Sequence, residues 1–111
     1  MAIAPELAGA MSILSSRRGG ELFVEVRGDL DAATAPLLLT RVELEAELCP
    51  QRLVLDLSGV SFCGSAGIGA LLRIRKRADE CGVELVLARP SQSVMRVLGI
   101  SGLERYFSVE A

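Results

Sequence analysis

One serine stands among very small residues in the segment SFCGSAGIGALL, residues 61–72. At this point an apolar stretch of strand-like pattern turns into a helical pattern. A lone hydroxyl in such a place has four conceivable uses: an enzyme nucleophile, part of a phosphate-binding loop, a helix cap, or a group that is itself modified. The rest of the sequence ranks these four uses of Ser65.

The nucleophile use lacks a base. Residues 63–67, CGSAG, end in the Ser-x-Gly half of a nucleophile elbow, but Cys63 occupies the place of the first glycine. The chain has no histidine, and a serine without a base is a poor nucleophile at neutral pH even if Asp29 or Asp31 supplies a carboxylate. The sequence therefore predicts that the chain is not an enzyme.

Phosphate loops and metal sites are also disfavoured. The glycines at 64, 67 and 69 do not form GxGxxG, and no Lys-Ser or Lys-Thr follows them. The three cysteines, Cys49, Cys63 and Cys81, form no CxxC pair and have no histidine beside them. We expect no cofactor, no bound metal and reduced thiols in a cytoplasmic protein, with a redox role for Cys63 as an open alternative.

A helix cap and a modified hydroxyl both remain open for Ser65. A serine cap is worth ~1 kcal/mol over alanine, but it leaves the surrounding glycines unexplained, since glycine weakens a first helical turn. A bare backbone there indicates close approach of another surface, either the sheet beneath or a partner above. A phosphate on Ser65 would suit the positive end of a helix, yet it would repel a partner lying on this flat patch.

Composition sets the remaining bounds. The 111 residues suit a single domain, with 50% hydrophobic and 23% charged residues. A net charge of −2, only 4% aromatic residues and no tryptophan disfavour nucleic-acid binding. Residues 1–10 show no periodicity, no basic leader and no long apolar run, so we expect a flexible segment there, a domain over 11–111 and a cytoplasmic location.

The hydrophobic pattern predicts an α/β fold with a hairpin at Gly19-Gly20 followed by alternating helices and strands. Thr34 and Pro36 are typical of a helix start, and Gly82 of a helix end. Strands are predicted at 11–16, 21–28, 52–59 and 83–88, and helices at 35–48, 65–81 and 92–98, with a capped turn or helix and an edge segment in the tail. This order predicts a mixed, mostly parallel sheet of about four to five strands with three to four helices.

The parallel strands should bring their following loops to one edge of the sheet. That edge is predicted to collect Asp29 and Asp31, then Ser58–Ser65, and finally Arg89–Ser91. The outer face of the helix over 65–81 carries Arg73, Lys76, Arg77 and Glu80. Such a face is typically solvated, although it can dock an acidic partner.

Three blocks of the chain resemble the STAS domain, in particular that of anti-sigma factor antagonists. LVLDLSGVSFCGSAGIGALLRIRKRA is similar to the family signature, in which D-L-S is followed by aromatic-x-D-S-S-G-hydrophobic-G and a helix. VRGDLDAATAPLL is similar to the G-x-L-D-x-x-T block, and PSQSVMRVLGISGLERYFSV to the family's ending. The resemblance spans roughly residues 11–109; within the signature, Gly64 replaces the usual acid and Ala66 the frequent second serine.

This resemblance implies a function in transcription control. It implies binding to an anti-sigma factor that is itself a serine kinase of the histidine-kinase-like ATPase type, and thereby release of a sigma factor. Phosphorylation of the signature serine, which aligns with Ser65, would break the complex, and a serine phosphatase would restore it. Asp31 would lie nearby on the partner-facing edge.

We therefore expect a phosphorylation site at Ser65 inside a partner-binding surface. The residues assigned to that surface are Asp29, Asp31, Ser58, Cys63, Gly64, Ser65, Ala66, Gly67 and Ile68. Two alternatives remain: a STAS subunit that docks on a transporter ATPase without being phosphorylated, and a binding module gated by oxidation of Cys63.

Overall fold

Alternation of apolar residues produces the two central strands of the fold. The computed structural model describes residues 6–8, 11–47 and 50–111. Leu22, Val24 and Val26 are fully buried along one strand while their sequence neighbours are partly exposed. Leu53, Leu55 and Leu57 are also buried along the next strand, where Val54 between them is buried as well. Since Leu22 pairs with Leu53 and Val24 with Leu55, both apolar rows lie on one face of the sheet.

The sheet has six strands that lie side by side in chain order. They are β1 Glu6–Ala8, β2 Met11–Arg18, β3 Glu21–Leu30, β4 Arg52–Cys63, β5 Glu84–Ala88 and β6 Ser108–Glu110. The helices are α1 Ala35–Ala46, α2 Ser65–Cys81 and α3 Gln92–Ser101, followed by a 3-10 helix, Glu104–Tyr106. β1, β2 and β3 pair antiparallel, and β3 to β6 pair parallel. Right-handed crossovers in one direction then place the three helices on the same face.

The predicted α/β class, the mixed sheet and the hairpin are confirmed, with differences at element ends. Residues 6–8 form a strand where we expected no regular structure; residues 1–5 and 9–10 lie outside the described part of the chain. β4 continues four residues past 59, because its end pairs with Leu30 at the end of β3. α3 continues through Gly99 and ends at Gly102, which adopts the left-handed conformation with φ 69°.

Helices α1 and α2 contribute apolar stripes to the single core. α1 buries Leu38 and Val42, and α2 buries Leu71 and Ile74. α1 ends at Ala46, two residues before the predicted end at Leu48, and Leu48 and Cys49 lie outside the described residues. No helix in the described ranges is both long and apolar enough to cross a bilayer.

A buried polar cluster ties α1 to the hairpin. Glu45 of α1 accepts hydrogen bonds at 2.6 Å from the hydroxyl of Ser15 in β2 and from Nε of Arg41. Arg41 also donates to the Ser15 hydroxyl at 3.0 Å. These hydrogen bonds link α1 to β2, although burial of a charged pair contributes little net stability.

Candidate partner-binding edge around Ser65

The parallel ends of β3 and β4 place Ser65 at an edge of the sheet. Leu30 and Cys63 are the last paired residues of the two strands. One residue later, the backbone N–H of Gly64 donates to the carbonyl of Leu30 at 3.1 Å. α2 begins at the next residue, so Ser65 stands where the strand gives way to the helix, as the sequence predicted.

Ser65 is the first residue of α2, and Gly64 occupies the N-cap position in extended conformation. Of the two uses left open for Ser65, the structure disfavours the helix cap, because no side chain caps α2 and the Ser65 hydroxyl forms no hydrogen bond with any described residue. The side chain is exposed. Its hydroxyl therefore points into solvent at the positive end of the α2 dipole.

The position of Gly67 explains part of why small residues surround Ser65. A Cβ atom at this position would lie 2.9 Å from Sγ of Cys63, from Cγ of Leu30 and from the carbonyl oxygen of Leu30. The sheet beneath α2, and not a partner above it, therefore requires the glycine. Cys63, Gly67 and Ile68 are all buried, so these three predicted contact residues support the surface from below.

Phe62 is a feature of this edge that the sequence analysis did not assign. Its side chain is 52% exposed, and a Cβ atom on Gly64 would lie 3.3 Å from its ring. The acidic side chain that the family pattern has at this position would therefore press against the ring. An aromatic residue at the outward position of a strand end was the available signal, because exposed aromatic side chains are frequent anchors of interfaces.

Asp31 is held within its own loop. Its Oδ1 accepts hydrogen bonds from the backbone N–H groups of Ala33 and Thr34 at 3.0 and 3.1 Å. The bond from the Thr34 backbone is the largest influence and, with the Thr34 hydroxyl and the Ala33 N–H, holds the pKa of Asp31 below its ordinary value. Asp31 therefore shapes the start of α1 as well as flanking the edge.

Thr34 takes the N-cap position of α1 without capping it by its side chain. Its hydroxyl donates to the carbonyl of Asp29 at 2.8 Å and accepts from the N–H of Asp31 at 2.9 Å. Pro36 follows in the first turn of the helix, as predicted. Thr34 thereby closes the loop between β3 and α1.

Hydrogen bonds join the three loops of this edge. The hydroxyl of Ser61 donates to the carboxylate of Asp29 at 3.3 Å. The hydroxyl of Ser93, in α3, donates to the carbonyl of Ser61 at 2.9 Å. The structure therefore brings together the ends of β3 and β4 and the start of α3, which follows β5, at the edge that the sequence predicted from their topology.

Ser58 lies farther back along β4, beside Asp56. Oδ1 of Asp56 accepts hydrogen bonds from the N–H and the hydroxyl of Ser58 at 3.0 and 2.7 Å, and Oδ2 pairs with Arg89. Partial burial acts to raise the pKa of Asp56, but the Ser58 and Arg89 bonds together lower it. Ser58 is exposed, yet its hydroxyl is engaged in this cluster.

Cys63 does not have the surroundings of a reactive thiol. Its side chain is buried, and burial raises the pKa of the thiol above its ordinary value. Oxidants react with the accessible thiolate, which this environment suppresses. The site geometry therefore disfavours the redox-gated alternative for Cys63. The other free cysteine of the described residues, Cys81, is exposed.

Comparison with known proteins agrees with the fold. The family model described as STAS domain matches residues 12–111. A STAS-domain containing protein of Pseudomonas aeruginosa is 30% identical over 100 residues, covering 90% of this chain and 98% of the relative. An anti-sigma F factor antagonist of Paenibacillus polymyxa is 29% identical over 86 residues, covering 76% of this chain and 73% of the relative.

Solved structures share the same architecture. An anti-sigma factor antagonist from Mycobacterium paratuberculosis superposes with a TM-score of 0.82 at 26% identity, over 90% of this chain and 85% of that chain. The Bacillus cell fate determinant SpoIIAA in its phosphorylated form superposes with a TM-score of 0.69 at 16% identity, over 89% and 91% of the two chains. The match over residues 12–111, together with these likenesses, shows that this chain belongs to the STAS domain family.

Proposed function

We propose that this chain is an anti-sigma factor antagonist that binds an anti-sigma factor serine kinase at the Ser65 edge. In this proposal the kinase phosphorylates Ser65, the complex dissociates, and a serine phosphatase restores binding. The names of the Paenibacillus and Mycobacterium relatives support the antagonist role. Binding releases a sigma factor in the cytoplasm, and the chain itself performs no catalysis.

One observation carries the assignment of Ser65. Five serines lie along this edge, and four of them take part in hydrogen bonds within the chain: Ser58, Ser61, Ser91 and Ser93. Ser65 is exposed and its hydroxyl has no partner among the described residues. Of the five, Ser65 is thus the hydroxyl that can be modified without breaking an internal hydrogen bond.

The proposed switch works because a phosphate on Ser65 is tolerated by the folded chain itself but not by a partner bound over it. A phosphate on Ser65 would sit at the positive end of α2, where a charge of about −1.5 to −2 is tolerated. A partner seated on Phe62, Gly64 and Ala66 would instead meet a bulky anion. Burying that anion in the interface would remove its hydration, which is unfavourable. Phosphorylation therefore changes binding without unfolding the domain.

The proposal is tested by incubating the chain with each anti-sigma factor serine kinase of its host and ATP. Intact-mass measurement should show one added phosphate, which Ser65→Ala abolishes and the neighbouring Ser61→Ala does not. Ser65→Glu should weaken the complex by roughly tenfold or more. A complex that persists after stoichiometric phosphorylation would refute the switch, and a stable complex with a transporter ATPase would favour the alternative role.

A further inference from the structure

A groove between α1 and α2 opens beside the Ser65 edge. Its upper part has a volume of about 640 Å³ and is mostly apolar. Small side chains line it on both walls: Ala35 of α1 with Ala32 in the preceding turn on one wall, and Ala66 and Ala70 of α2 on the other. Since Ala66 follows Ser65 directly, the groove is continuous with the proposed binding edge.

Gly69 lies in this groove without a reason inside the chain. A Cβ atom there would have no atom within 4 Å, unlike at Gly67. Glycine within a helix is destabilising relative to alanine, and no contact with the described residues offsets that cost. A glycine of this kind suits close approach by the backbone of another molecule.

The lower part of the groove is charged. Leu39, Glu43, Arg73, Lys76, Arg77 and Glu80 line a volume of about 370 Å³. Arg77 approaches Glu80 at 4.0 Å, and Glu43 stands on the α1 wall. Arg73 and Lys76 are exposed and have no ion pair or hydrogen bond with the described residues. The groove thus combines an apolar upper end with two uncompensated cations below.

We propose that this groove binds an amphipathic helix of the partner protein, with acidic residues placed against Arg73 and Lys76. The lining residues of α2, from Ala66 to Glu80, extend about 21 Å at 1.5 Å per residue, which corresponds to about four helical turns. An apolar helix face would pack on Ala66, Gly69 and Ala70, in the helix-in-groove mode. The inference rests on the proposed function in taking the Ser65 edge as the place where the partner lands.

Two synthetic helical peptides test the groove directly. Both carry the same leucine stripe, and one carries glutamates where the other carries lysines. Titrated into the ¹⁵N-labelled chain, the acidic peptide should shift backbone amide signals of α1 and α2 along the groove. It should bind roughly tenfold or more tightly than the basic peptide, and the double variant Arg73→Glu/Lys76→Glu should reverse that preference.

Matched variants separate groove binding from loss of structure. At Gly69 an added Cβ atom has open space. Gly69→Leu should therefore fill the upper groove and weaken binding of the acidic peptide by roughly tenfold or more, while the thermal midpoint stays at or above that of the wild type. Gly99 is an exposed glycine of α3 outside the groove, so Gly99→Leu is the matched control and should not weaken binding of the acidic peptide. Arg96→Glu, on α3 outside the groove, is the charge control.

Several results would overturn the inference. The absence of amide shifts along the groove, or equal affinity for the two peptides, would refute the acidic helix. Amide shifts that depend on the concentration of the chain alone would indicate a second copy as the occupant. Displacement of the peptide by palmitate would indicate a lipid. The proposed function fails separately. If a host kinase binds the wild type, and binds Gly69→Leu and the charge-reversal variant equally well, only the groove proposal is refuted. If the acidic peptide binds as expected but no host kinase binds the chain, only the proposed function is refuted.

Discussion

Ser65 differs from the neighbouring serines because the fold does not use its hydroxyl. Ser91, by contrast, caps α3, where its side-chain oxygen accepts a hydrogen bond from the N–H of Val94 at 3.3 Å. Ser91 thus has a structural role within the chain, whereas the hydroxyl of Ser65 has no hydrogen bond with the described residues. Both stand at the start of a helix on the same sheet edge, so they form a matched pair.

We expect Ser65→Ala to change the free energy of unfolding by less than about 0.5 kcal/mol, since no internal bond is lost. Ser91→Ala should lower it by about 1 kcal/mol, because the cap of α3 is removed. Urea unfolding followed by circular dichroism measures both values. Equal losses in the two variants would mean that Ser65 has a structural role after all.

Asp31 should make the stability of the domain depend on acid pH. Its pKa is lowered from 3.8 by the Thr34 and Ala33 hydrogen bonds, so the ionised carboxylate stabilises the folded state. That contribution is complete above the unfolded value of 3.8 and is lost as the pH falls through the lower folded value. Asp31→Asn, which keeps an acceptor oxygen but no charge, removes it.

The measurement is the difference in free energy of unfolding between the wild type and Asp31→Asn, from neutral pH to about pH 2. The difference should be largest at neutral pH and shrink below 3.8. Asp31→Ala serves as a comparison, because it also removes the acceptor and should remain less stable than Asp31→Asn at neutral pH. A difference that is constant with pH would contradict the assigned cause.

At the scale of elements, α2 carries two glycines of opposite meaning. Gly67 packs against the ends of β3 and β4, whereas Gly69 faces an open groove. Gly67→Ala should destabilise the domain by about 1–3 kcal/mol, because the added methyl meets backbone as well as side chains. Gly69→Ala should stabilise it by about 0.5–1 kcal/mol, because helix propensity improves and nothing is displaced.

Thermal and urea unfolding of the two single variants checks this prediction. The same substitution is made two residues apart on one helix, so effects on the unfolded chain are matched and largely cancel. If both variants change the free energy of unfolding in the same direction, the prediction fails, and the close packing of Gly67 on Leu30 is not what requires glycine there.

At the scale of the whole molecule, the edge around Ser65 rests on the core beneath it. Leu30, Cys63 and Ile68 are buried parts of the same cluster that contains the central strands. The surface around Ser65 is therefore anchored by the sheet, and its shape should not depend on the proposed modification of Ser65. Access to Cys63 requires opening of this edge.

Cysteine labelling measures that opening. With iodoacetamide, exposed Cys81 should react readily in the folded protein, whereas buried Cys63 should react more than about tenfold more slowly. Peptide mass spectrometry distinguishes the two sites, and labelling in denaturant supplies the reference rates. Comparable rates in the native protein would show that the edge opens easily and would revive a redox role for Cys63.

The sequence alone was sufficient for the architecture and for the position of Ser65 within it. The hydrophobic period predicted α2 at Ser65–Cys81 with matching bounds, and the order of elements predicted the parallel sheet and the edge at which the loops meet. These features follow from local periodicity and chain connectivity. The same local information placed Ser65 at the junction of strand and helix.

Only the tertiary structure decided what each residue does there. Gly64 and not Ser65 takes the cap position, Gly67 packs on Leu30 while Gly69 remains open, and Phe62 is exposed beside Gly64. The packing of Gly67 depends on a contact between α2 and the end of β3, and the same edge joins residues as far apart as Asp29 and Ser61. Composition and spacing along one segment carry no record of such neighbours, because a side chain's surroundings are set by segments that meet only after folding.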